Sequence, residues 1–195
     1  MPAVLVVLIS GNGSNLQAIL DACSRKEIPA SVAAVISNTP NAYGLTRARK
    51  AGVDAIVLAR QPDETRVDYD VRLAGMVEIY EPDYVILAGW MRLLTASFLN
   101  HFPNRVINLH PALPEMFPGT HAIERAYEAY QLGRIDQSGV MVHIVPDEGV
   151  DNGPVLAIQE IRFVPGEPLE TFEERVHAAE HQLLVDTIKN LLNSK

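Results

Sequence analysis

Hydrophobic positions fall along this chain in two alternating textures. Short apolar runs, rich in valine and isoleucine, occur at residues 4–9, 32–37, 55–58, 84–87 and 106–109. Each is bounded by glycine, proline or polar turn residues, as expected of strands buried on both faces. Between them, apolar residues recur at three- and four-residue spacing. That period predicts helices over 15–25, 43–51, 65–80, 95–101 and 122–132. Strands joined by helices imply a mainly parallel, twisted α/β sheet with helices on both faces.

The rhythm then changes. Residues 139–145 and 155–163 read as two strands joined only by 146–154, too short for a crossover helix, so an antiparallel hairpin is expected at the C-terminal side of the sheet. Residues 169–192 read as a long amphipathic helix, with Thr171 and Glu174 offering a capping box near its start. No repeat, linker or low-complexity tract interrupts the pattern, and one domain over 1–195 is expected.

Composition narrows this picture only a little. The chain has 195 residues, of which 48% are apolar and 21% charged, an ordinary balance for one well-packed core. A single cysteine, Cys23, rules out an internal disulfide and a four-thiolate metal site. It falls in step with Leu16, Ile19 and Leu20, so it reads as a small core residue. The apolar start lacks a basic flank and breaks at a glycine turn, which points to a cytoplasmic protein without membrane attachment. A net charge of −8 disfavours a nucleic-acid partner but leaves room for a local basic pocket.

Ligands of open α/β sheets sit beyond the carboxyl ends of the strands. Five segments there carry candidate chemistry. The first is Ser10-Gly-Asn-Gly-Ser-Asn15, where glycines and a helix start favour a bound phosphate, or form a tight turn with nothing bound. A dinucleotide fits less well: Leu16 stands at the third glycine position, and the second strand ends Ile36-Ser-Asn38 without a ribose-binding acid. The second is Asn108-Leu-His110-Pro111. Residues two apart on a strand share a face, so an amide donor and an imidazole can reach one pocket, suited to stabilising an oxyanion and moving a proton. Both side chains can equally be caps that satisfy backbone groups.

The third segment, 147–154, is acidic and turn-rich: a solvated turn, a calcium loop, or the source of a carboxylate for His110. The oxygen-ligand spacing of an EF-hand is missing. The fourth, Ala88-Gly-Trp-Met-Arg-Leu-Leu94, describes either a wall for a flat, partly polar ligand or an ordinary strand-to-helix junction. The fifth, His177-Ala-Ala-Glu-His181, matches an inverted zinc-protease pattern, but too little chain follows to supply the further ligand. The simpler alternatives are a surface helix, or one pocket-facing residue at the sheet edge.

In order and spacing, these segments together resemble the phosphoribosylglycinamide formyltransferases, of the folate-dependent formyltransferase family. Val-Leu-Ile-Ser-Gly-Asn-Gly-Ser-Asn-Leu-Gln-Ala-Ile, Leu-Ala-Gly-Trp-Met-Arg-Leu-Leu, Ile-Asn-Leu-His-Pro, Phe-Pro-Gly-Thr-His and Val-Pro-Asp-Glu-Gly-Val-Asp-Asn-Gly-Pro carry the likeness across nearly the whole chain. The resemblance implies a Rossmann-like formyltransferase fold. It also implies formyl transfer from 10-formyltetrahydrofolate, as co-substrate and without a metal, to the amine of glycinamide ribonucleotide. Carried over residue by residue, it assigns catalysis to Asn108, His110 and Asp151, with His110 protonated and Asp151 raising its pKa. Gly13, Ser14 and Asn15 would hold the ribonucleotide phosphate, and His177, Ala178, Ala179 and Glu180 the rest of that substrate. Arg66, Met91, Arg92, Leu93, Leu94, Pro146, Asp147, Glu148, Gly149 and Val150 would hold the folate together with Asn108. His121 and His143 fall at pocket-facing positions without an assigned role.

One departure is visible. The family pattern His-Pro-Ser-Leu-Leu-Pro reads here His110-Pro-Ala-Leu-Pro-Glu, moving the second proline to Pro114 and predicting altered geometry in the turn after His110. Among related activities, a methionyl-tRNA formyltransferase is expected to carry a further nucleic-acid-binding domain, and a formyltetrahydrofolate hydrolase an N-terminal regulatory domain. A noncatalytic binding module would leave Asn108, His110 and Asp151 unexplained. The expected partners are small molecules, for a monomer or homodimer.

Overall fold

Seven strands form one sheet in the order β3-β2-β1-β4-β5-β6-β7 in the computed structural model, which describes residues 2–193. β1 (Ala3–Ile9), β2 (Ala30–Ser37), β3 (Asp54–Val57), β4 (Tyr84–Leu87) and β5 (Val106–His110) are parallel. β6 (Gln137–Ile144) runs antiparallel to both β5 and β7 (Val155–Arg162). The chain winds outward from β1 to β3, then returns to lay β4 on the other side of β1. That reversal opens a crevice at the carboxyl ends of β1 and β4.

The unbroken apolar run of β1 has a direct packing reason. Leu5, Val7 and Ile9 enter one core, shared with helices α1 (Ser14–Ser24), α2 (Tyr43–Lys50), α5 (Ala122–Gln131) and α6 (Leu169–Asn193). Val6 and Leu8, pointing the opposite way, enter a second core with α3 (Arg66–Glu78) and α4 (Ala96–Leu99). A strand covered on both faces has no polar side, so the usual alternation disappears. Among the described residues no helix is long and apolar enough to cross a membrane.

One cap and one helix length depart from the sequence pattern. α6 begins at Leu169 as expected, but its first bonds are made by the Pro168 carbonyl, which accepts from Thr171 N and Phe172 N. Thr171 therefore lies inside the first turn instead of capping it. α4 is confined to Ala96–Leu99; His101 and Phe102 continue as tighter turns onto the Phe98 and Leu99 carbonyls, and Pro103 lacks the N–H to extend them.

Phe98 is fully buried, with its ring centroid 4.9 Å from that of Phe102. We expect Phe98→Ala to lose about 3–5 kcal/mol of stability, read as a fall in the urea midpoint at constant m-value. A loss below about 1 kcal/mol would mean that this core can collapse around the missing ring.

Candidate active site

The loops leaving β1, β4 and β5, the β6–β7 hairpin loop and one face of α6 enclose a cavity of about 810 Å³ over the crevice. Ser10 ties the first two loops together. Its amide donates to the Gly89 carbonyl at 3.0 Å, and its hydroxyl donates to Asn38 Oδ1 at 2.6 Å while accepting from Met91 N at 2.8 Å.

At one end of the cavity the backbone supplies the polarity. Gly13 caps α1 with φ of 76°, a left-handed conformation that favours glycine. A methyl group there would also lie 2.7 Å from Gly44 Cα, so α2 packs hard against the loop. No side chain caps this helix. The amides of its first turn therefore face the cavity beside Ser14 and Asn15, a ready anion site. Across from them, His177 Nδ1 lies 2.6 Å from Glu180 Oε2. That hydrogen bond raises the His177 pKa against the opposing effect of burial.

The floor is built on β5. Asn108 Nδ2 donates to Asp151 Oδ1 at 3.0 Å and lies 3.1 Å from His143 Nε2. His143 Nδ1 lies 2.9 Å from the Ile144 carbonyl, which can only accept, so this nitrogen carries the proton and Nε2 is free to accept from Asn108. Both amide protons of Asn108 are thus engaged. A flipped amide would set two oxygens against each other, so the Asp151 carboxylate fixes the orientation. His110 Nδ1 is 3.3 Å from Asp151 Oδ2, and its Nε2 is 3.1 Å from the Phe117 carbonyl. Gly119 N donates to Asp151 Oδ2 at 2.9 Å.

Burial dominates the charge of His110. Desolvation lowers its pKa and outweighs the carboxylate of Asp151 and the carbonyls of Met116 and Phe117, while the His143 ring adds to the lowering. Asp151 thus offsets the burial only in part, and the closed surroundings favour the neutral ring over the imidazolium. Burial also opposes ionisation of Asp151. There the nearby His143 ring, the Gly119 amide and the His110 ring win, and the pKa lies below the ordinary value.

The other end of the cavity is apolar and open. Met91 and Leu93 are 67% and 46% exposed at its rim, with Trp90 and Leu94 buried behind them. Arg92 lines the wall with its guanidinium 4.3 Å above the Tyr69 ring. Asp147, Glu148, Gly149 and Val150 close the opposite side. Glu148 Oε2 pairs with Arg66 at 2.6 Å, and its Oε1 accepts from Ala96 N at 3.0 Å.

Some candidates fall outside this enclosure. Arg66 touches it only through Glu148, Pro146 does not line it, Ala179 is buried in the core, and Ala178 faces a neighbouring cleft. The loop after β2 sends no residue to the lining. His121, by contrast, does line the cavity, exposed at the start of α5 with Nδ1 3.0 Å from Glu124 Oε1. The turn containing Pro114 has trans peptide bonds throughout, and places Glu115 and Phe117 at positive φ. His143 lines the cavity at its pocket-facing position and gains a partner through cross-strand register, since it pairs directly with Asn108 between β5 and β6.

Comparison with known proteins agrees with this arrangement. The formyl transferase family model matches residues 3–188. The chain is 45% identical to a phosphoribosylglycinamide formyltransferase of Dictyostelium discoideum, covering 98% of each. It is 41% identical to the Escherichia coli protein of that name, over 92% of this chain and 82% of the relative. Among solved structures, glycinamide ribonucleotide transformylase 1 from Geobacillus kaustophilus superposes with a TM-score of 0.91 at 37% identity, covering 98% of this chain and all 100% of its own. The corresponding Symbiobacterium toebii structure gives 0.90 at 41% identity, covering 96% and 86%. A sheet reversed at β1 and β4, a floor of Asn108, His110 and Asp151, and full-length likeness in sequence and structure lead to one assignment: this chain belongs to the formyl transferase family.

Proposed function

We propose that this chain transfers the formyl group of 10-formyltetrahydrofolate to the amine of glycinamide ribonucleotide, giving formylglycinamide ribonucleotide and tetrahydrofolate in purine biosynthesis. The observation that carries this reading is the contact of Asn108 and His110 with Asp151 on a floor between a polar, amide-rich loop and an apolar wall. A small phosphorylated amine suits the first end and a flat heterocycle the second. The cavity, at about 810 Å³, is large enough to bring both together.

Gly13, Ser14 and Asn15 would hold the phosphate, with His177 and Glu180 facing the rest of the ribonucleotide. Trp90, Met91, Leu93, Leu94 and the hairpin residues would cover the pterin, and Arg66 would pair with a carboxylate at the folate's far end. The folate supplies the formyl carbon; the protein's residues do the rest. His110 turns Nε2 from the Phe117 carbonyl toward the reacting centre, its one proton on Nδ1 beside Asp151. Asn108 keeps its charge-assisted bond to Asp151 and turns to the formyl oxygen the N–H now shared with His143. Asn108 thus meets the negative charge that develops as the amine adds. His110 takes at Nε2 the proton released by the amine, and the imidazolium so formed, stabilised by Asp151, becomes a second donor beside the oxyanion. The same proton then passes to the departing folate nitrogen.

Mixing the protein with 10-formyltetrahydrofolate and glycinamide ribonucleotide should release deformylated folate only when both are present. Release without the ribonucleotide would instead identify a hydrolase, and no release would identify a binding module. Asp151→Asn should lower kcat roughly 10²–10⁴-fold. It should also move the acid limb of the pH profile to lower pH, because the carboxylate is what raises the His110 pKa. An unmoved limb at full activity would remove Asp151 from the mechanism.

Stability should follow the same group. Unfolded, His110 titrates near its ordinary value of about 6.5, and folded it titrates lower. Its contribution is therefore present above about pH 6.5 and is lost as pH falls toward the folded value. Asp151 loses its contribution in the same direction at more acid pH, whereas the raised His177 loses its contribution as pH rises. The fall in Tm between pH 7 and pH 5 should be shallower in His110→Gln than in the parent. Equal slopes would place the acid sensitivity elsewhere.

A further inference from the structure

Arg47 stands behind the glycine loop and uses three donors of its fork on that loop and the first turn of α1. Nε donates to the Asn12 carbonyl at 2.9 Å, Nη2 to Asn12 Oδ1 at 2.9 Å, and Nη1 to Gln17 Oε1 at 3.2 Å. Asn12 precedes the helix cap and Gln17 lies in the first turn, so the planar group straddles the start of α1. Its carbon sits 4.9 Å from the centroid of the Tyr43 ring, one turn earlier on α2. All three hydrogen bonds end on neutral acceptors, and among the described residues no carboxylate forms an ion pair with Arg47. The guanidinium is therefore not held in an ion pair.

Its position is also specific. Arg47 and Ser14 line a cleft of about 720 Å³ between α1 and α6, and Ser14 lines the main cavity as well. The guanidinium thus lies beside the mouth where an anion at the first amides of α1 would sit. His181 shares that cleft. Asp21 and Asp186 line the same cleft without forming an ion pair with Arg47.

We propose that Arg47 is a positioning residue for the phosphate of the amine substrate, fixing the Asn12–Asn15 loop and adding a full positive charge beside the helix start. This rests on the reading of that loop as the phosphate site. A lysine would keep the charge but could not span Asn12 and Gln17 with a rigid fork.

The test compares the parent with Arg47→Met and Arg47→Lys on glycinamide ribonucleotide and on the same molecule without its 5′-phosphate. Arg47→Met should raise KM for the phosphorylated amine on the order of tenfold, with kcat and the KM for folate retained. It should change KM for the dephosphorylated amine little, and should weaken competitive inhibition by inorganic phosphate in parallel. Arg47→Lys should fall between. Equal effects on both amines, or a parent-like KM in both variants, would overturn the proposal. If the parent itself does not prefer the phosphorylated amine, the phosphate-loop reading fails first and is recognised separately. Should Arg47→Met fail to fold, Arg47→Lys decides through the same ratio of amines.

Discussion

A carboxylate held away from water needs partners, and Asp151 draws its partners from separate parts of the chain. Its side chain is only 12% exposed, and the groups around it are the Asn108 amide on β5, the His110 ring at the end of the same strand, and the Gly119 amide beyond the following turn. Burying such a charge is favourable only when hydrogen bonds replace the lost hydration. The hairpin loop, the end of β5 and the turn before α5 are therefore locked to one another. The same contact orients the Asn108 amide and supports an imidazolium on His110 when one forms, so the site's chemistry and its local order have a common origin.

The sheet divides the remaining labour. Asn108 and His110 sit on a strand and are rigidly placed, which suits groups that must meet a reacting atom. Around them the two ends of the cavity differ in character: backbone amides and paired polar side chains at the β1 end, exposed apolar side chains at the β4 end. Ser10 joins the ends through bonds to both loops. Arg47 and Gly44 brace the polar end from outside, so α2 shapes the site without lining the main cavity. Glu148 does the equivalent at the apolar end, where it holds Arg66 and the start of α4.

Much of this was legible along the chain, for definable reasons. Apolar runs without alternation mark strands with two buried faces, and the parallel sheet follows from the helices between them. The two-residue period places Asn108 and His110 on one side without any tertiary information. Helix ends were harder, because a capping pattern such as Thr171 and Glu174 competes with nearby alternatives, and here the Pro168 carbonyl took the first bonds. Asp151 came mainly from family resemblance, since an acidic turn looks the same whether it faces water or a histidine. Arg66 and Ala178 were assigned to the site by the family resemblance, although only folded geometry shows which side chains reach it.

Sequence by itself determined the alternation of strands and helices, the glycine loop, and the pairing of an amide with an imidazole on one strand face. These depend on residue type and local period. Tertiary structure decided that β6 lies beside β5 in the register that sets His143 against Asn108, that Asp151 folds back onto both, and that Arg47 braces the glycine loop. It also decided how strongly burial opposes a charge on His110, because desolvation depends on what surrounds a ring and not on its neighbours along the chain.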